Sequence, residues 1–130
     1  MADLVTRRTP YRALLIPVTG PVEELRLPTD HTELMQLQAA VGGWIEAVSM
    51  PEFIAESERA TGYVNEEGKL EQLPFNGRAT DLMVPGVGLG WGDYIAGPML
   101  VCGFDRHRGE NTDIPAGVEK QIRLIEAEAG

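Results

Sequence analysis

The chain has 130 residues, enough for one domain with its own core and no metal or disulfide staples. Its 20 acidic and 11 basic side chains give a formal charge of -9, which argues against nonspecific binding to nucleic acid or anionic membrane, because phosphate would be repelled. A single cysteine, Cys102, excludes an intrachain disulfide and fits a reducing compartment, and no run approaches the ~20 apolar residues of a membrane span, so a cytoplasmic protein is expected.

Residues 1–10 read as a flexible lead-in. The apolar run 11–18 has strand length, Gly20 and Pro21 mark a turn, and 22–27 reads as a second strand, so the two predict a hairpin. Asp30 with Glu33 three residues on fits a capping box; Leu34, Leu37 and Val41 share a helical face, and Gly42-Gly43 closes the helix. Residues 44–48 read as a strand, with Ile45 and either Ala47 or Trp44 inward. Residues 51–60 suit one or two helical turns anchored by Phe53 and Ile54.

Residues 63–79 look like the organising stretch: a strand, a polar turn at Asn65-Glu66-Glu67-Gly68 with Gly68 at positive φ, a second short strand from Leu70, and then a short helix over 76–83. The glycine-rich stretch 84–92 is a loop by elimination. Residues 99–104 form the most continuous apolar run and predict a buried strand. A polar turn follows over 105–111, and Thr112 or Asp113 caps a last helix that aligns Val118, Ile122 and Ile125. This order does not repeat as a βαβ series. It predicts a single α+β domain, a largely antiparallel sheet with two or three helices packed on one face, divided into a lead-in (1–10), a core (11–104), and a polar turn with a C-terminal helix on the core (105–130).

The glycines at 86, 88, 90 and 92 do not meet dinucleotide spacing, so a loop or lid carrying Trp91 is the expected reading. His31 and His107 lack the spacing of a zinc site, Ser49 and Ser57 lack a nucleophile elbow, and Cys102 sits in apolar company as an inert core thiol. Neither a metal, nor a cofactor, nor catalytic residues are therefore expected. The acidic residues remain: residues 44–75 hold seven of them against two basic ones. They read first as solvated faces; the sharper alternatives are a carboxylate cluster for acid–base chemistry or a cation site, and an acidic surface that imitates nucleic-acid phosphates toward a DNA-binding partner.

At 41–46, 63–70, 73–76 with Ala79, and 93–98, the chain resembles the domain-of-unknown-function 3846 family, small proteins common in bacteriophages and mobile elements of Gram-positive bacteria. The resemblance covers about residues 12–104, with 51–60 and the tail helix as additions. It implies a phage or prophage accessory protein acting in the host cell, carries no catalytic residues, and marks the hairpin turn and Asn76 as signature positions.

The expected function is non-enzymatic: binding of a host protein through an acidic face formed by Glu46, Asn65, Glu66, Glu67, Asn76, Trp91 and Asp93. The alternative is a nucleotide-like small-molecule site with 86–92 as lid and Asn65, Asn76 and Asp93 as polar contacts. A small hydrolase using the carboxylates is a third reading. Direct nucleic-acid and membrane partners are not expected, and an edge strand near Val101 and Phe104 leaves room for a homodimer.

Overall fold

Alternation along the first strand decides the layering. In a computed structural model, which describes residues 10–84 and 93–129, strand β1 (Tyr11–Ile16) sends Leu14 and Ile16 to one side and Tyr11 and Ala13 to the other. β5 (Met99–Asp105) does the same, with Met99 and Val101 opposite Leu100 and Cys102. Both strands are buried on both faces, so the domain needs cover above and below. The lead-in residues 1–9 and the expected lid over 86–92, with Trp91, lie outside the described residues.

Around this pair the sheet is completed by β2 (Glu23–Leu27), β3 (Ile45–Ser49), β4 (Ala60–Asn65) and β6 (Glu110–Thr112), in the order β2-β1-β5-β4-β3, with every pairing antiparallel. β6 joins the edge of β5 that β1 leaves, since β1 pairs with Met99–Val101 and β6 with Gly103–Asp105. The fold is thus a single α+β domain, as expected. Helices α2 (Gly77–Met83) and α3 (Ala116–Ala129) supply Leu82, Met83, Val118 and Ile122 to the larger core on one face. Helix α1 (Glu33–Val41) covers part of the other face with Leu37 and Ala40, so the helices lie on both faces of the sheet and not on one as expected, because β1 and β5 are apolar on both sides. α3 is tied down at both ends: Glu119 pairs with Arg12 at 3.0 Å, and Glu126 accepts the Val22 N–H at 2.7 Å. That amide holds the Glu126 carboxyl below its usual range. Among the described residues no helix is long and apolar enough to cross a membrane.

Several local expectations are corrected. No second strand forms at Leu70. Instead Glu71 N–H bonds Glu67 O, Gln72 N–H bonds Lys69 O and Leu73 N–H bonds Gly68 O, a single helical turn closed by a Schellman motif. The left-handed residue of that motif is Gln72 (φ 58°), whereas Gly68 has no positive φ. Gly68 is needed for space: a Cβ there would lie 2.8 Å from Ala96 O. By contrast Gly42 (φ 82°) ends α1 in the left-handed conformation as expected.

Glu33 does not reach back to form a capping box; Asp30 Oδ1 accepts from Thr32, and Glu33 turns toward Tyr11. Leu34, Trp44, Ala47 and Phe53 are exposed, while Ile54 is buried in the larger core. The segment 51–60 holds only one 3₁₀ turn, Ser57–Arg59. The polar turn after β5 contains β6, and Asp113 Oδ1 accepts the Arg12 N–H at 2.8 Å, tying it to β1. The strand with Val101 and Phe104 is internal, so it offers no edge for a two-fold pairing.

Candidate functional site

Where β4 ends, Asn65 is almost wholly buried and its side-chain amide holds the chain in place. Its Oδ1 accepts the Glu67 N–H at 2.8 Å, an Asx turn, and its Nδ2 donates to Glu71 Oε1 at 3.2 Å. Gly43 makes this approach possible, because a Cβ there would lie 2.8 Å from Asn65 Nδ2. Glu66 N–H donates to Trp44 O, so the turn leaves the sheet in a fixed direction with Glu66 and Glu67 in solvent.

Asn76 does the corresponding work for the opposite lip. It is fully buried; its Oδ1 caps α2 by accepting the Ala79 N–H at 3.0 Å, and its Nδ2 donates to Ile16 O at 3.0 Å and Gly97 O at 2.9 Å. Its own N–H donates to Ile95 O, while Thr80 Oγ1 accepts the Ile95 N–H at 2.9 Å. The first turn of α2 therefore clamps Ile95 from both sides, which fixes Asp93 and Tyr94 just before it.

The two lips enclose a groove of about 440 Å³, lined by Glu46 and Val48 of β3, Asn65, Glu66, Lys69 and Leu70 of the turn, and residues 93–96. Lys69 bridges the lips: Nζ pairs with Asp93 Oδ1 and lies 4.9 Å from the centre of the Tyr94 ring. The Tyr94 ring in turn meets Phe75 at 5.8 Å, tilted by 50°. Leu70 (82% exposed) and Phe75 (58%) leave apolar surface beside the carboxylates.

Of the residues expected from sequence, Glu46, Asn65, Glu66 and Asp93 come together on this groove, and Glu67 stands beside it. Asn76 cannot touch a partner. It is corrected to a framework residue, buried beneath the groove with its side-chain polar atoms hydrogen-bonded to the backbone. Asn65 supports the rim from below rather than projecting from it. Sequence reasoning missed Lys69, Leu70, Phe75 and Tyr94; the one available signal was Tyr94 directly after Asp93. Among the described residues no three His, Cys, Asp or Glu side chains converge to hold a metal ion.

On the opposite face lies a larger open cleft, about 1220 Å³, between the start of α1 and the β5–β6 hairpin. A polar network runs along its floor. Tyr11 Oη donates to Glu33 Oε2 at 2.5 Å, Asn111 Nδ2 donates to the same oxygen at 3.0 Å, and Tyr63 Oη donates to Asn111 Oδ1 at 2.9 Å. Burial, reinforced by the bond to Glu33, raises the Tyr11 hydroxyl far above its ordinary pKa; burial raises Tyr63 and the Cys102 thiol as well. These groups stay protonated near neutrality, so Cys102 is an inert core thiol and the tyrosines act as hydrogen-bond donors.

The chain matches the family described as Domain of unknown function (DUF3846) over residues 11–126, and it belongs to that family. The match extends through most of α3, so the tail helix is part of the family domain and not an addition to it. No curated protein and no solved structure matches the chain.

Proposed function

We propose that this member of the DUF3846 family is a non-enzymatic accessory protein of phage or mobile-element origin that binds a basic protein of the host cell through the groove between the turn after β4 and residues 93–96. One observation carries this reading: Glu46, Glu66 and Asp93, far apart in sequence, line a single groove beside the exposed Leu70, Phe75 and Tyr94. Among the described residues that line it, Lys69 is the basic side chain set against them. Carboxylates around an aromatic anchor suit a partner that presents Lys or Arg around an apolar side chain, with charge steering the encounter and the aromatic surface setting the dwell time. Asn65 and Asn76 hold the two lips in place before any partner arrives, which reduces the ordering cost of association.

The small-molecule reading is weaker here, because two of its three polar contacts, Asn65 and Asn76, are buried and already bonded within the fold. To test the proposal, immobilised protein is exposed to soluble bacterial extract, and retained proteins are identified by mass spectrometry for wild type and for Glu46→Lys/Glu66→Lys, at low and high salt. A basic protein retained by the wild type at low salt, and lost on charge reversal or at high salt, supports it. Equal retention by both forms, or retention indifferent to salt, overturns it.

A further inference from the structure

The cleft over α1 has a chemistry of its own. Its floor is the sheet face that the nine residues of α1 leave uncovered, where Tyr63, Phe104 and Asn111 project; Pro10, Pro28, Leu34 and Leu37 add apolar wall. Glu33 lines the cleft and accepts two hydrogen bonds that both fall on Oε2, which leaves Oε1 without a hydrogen-bond donor among the described residues. At the rim, Arg108 pairs with Glu110 at 3.4 Å, and among the described residues that line the cleft the acidic side chains Asp30, Glu33 and Glu110 outnumber the basic ones. The positive end of the α1 dipole already faces the Asp30 and Glu33 carboxylates.

A preoriented carboxylate oxygen with aromatic rings beside it is the environment that recognises a planar organic cation. The guanidinium group both stacks on aromatic faces and donates in its own plane.

We propose that this cleft is a binding site for an alkyl-guanidinium group, with Glu33 as its principal anion, Asp30 as a second, and Tyr63 and Phe104 as the stacking surface. The site is independent of the groove on the opposite face. The same chemistry is offered by a free guanidine such as agmatine and by an arginine side chain in a peptide, and the volume admits either.

The test is calorimetric titration, with the Tyr63 and Phe104 ring protons followed by NMR, using butylguanidinium, butylammonium, agmatine and the blocked peptide acetyl-Gly-Arg-Gly-amide. Butylguanidinium is expected to bind and to shift those ring protons, and to bind at least threefold tighter than butylammonium. Whichever of agmatine and the peptide binds tighter identifies the source. Glu33→Gln keeps an acceptor for Tyr11 and Asn111 but removes the charge, and is expected to weaken binding at least tenfold. Asp30→Asn, at an exposed position, is expected to weaken it about threefold and serves if Glu33→Gln is unstable. Glu66→Lys, across the sheet, is expected to leave it unchanged, so loss of the partner-binding groove and loss of this site are separable. Absence of binding by all four probes, equal binding of butylammonium, or unchanged binding in the Glu33 and Asp30 variants overturns the proposal.

Discussion

The two concave regions lie on opposite faces of one sheet and treat their carboxylates in opposite ways. In the groove after β4, the polar groups that hold the architecture are the buried amides Asn65 and Asn76, and the rim carboxylates Glu46 and Glu66 stand in solvent. In the cleft over α1, the carboxylate of Glu33 is itself drawn into the network, bonded to Tyr11 and Asn111. The groove therefore separates framework from recognition, while the cleft merges them. Substitutions in the groove should divide sharply into those that unfold and those that only change binding.

The largest expected effect is at Asn76. Asn76→Ala removes a helix cap worth roughly 1 kcal/mol and leaves the buried Ile16 and Gly97 carbonyls without that donor, for a total loss of about 3 kcal/mol in urea denaturation. A loss under about 1 kcal/mol would break the claim that Asn76 is the framework of the groove.

Next comes Tyr11→Phe, which deletes a charge-assisted bond in the cleft and is expected to cost about 2 kcal/mol. Its pH signature is specific. The folded-state pKa of Tyr11 is raised, so its contribution is fully present below ~10, the unfolded value, and is lost as the pH rises above it. Stability of the wild type should fall through that alkaline range, and Tyr11→Phe should flatten the fall. The smallest effect sharpens the contrast: Glu66→Lys, at an exposed rim position, should change stability by less than about 0.5 kcal/mol.

Much of the sheet was legible from sequence because its strands are apolar runs bounded by turn residues, and the Gly42 cap was legible because a left-handed helix end favours glycine. The turn after β4 was misread for the same reason. Its left-handed position is held by Gln72, which composition does not flag, while the conspicuous Gly68 serves a close approach to Ala96. Replacing Gln72 with Gly should raise stability by about 0.5 kcal/mol, the left-handed strain relieved less the added chain entropy. β6 escaped notice because Glu110, Asn111 and Thr112 carry no apolar alternation; the strand exists because β5 offers an edge beyond β1. The groove was half legible. The charge of Glu46, Glu66 and Asp93 is visible in the sequence, but the clamp on Ile95 is what brings Asp93 to the other two, and no local pattern encodes that.

The most direct measurement compares two charge reversals of equal size. The captured partner's affinity is determined by biolayer interferometry for wild type, for Glu46→Lys/Glu66→Lys in the groove, and for Glu52→Lys/Glu58→Lys, two exposed acidic positions outside it. The groove pair should weaken binding at least tenfold, and the outer pair should leave it within about twofold. Equal weakening by both would show that the partner responds to overall charge, and would contradict a built recognition groove.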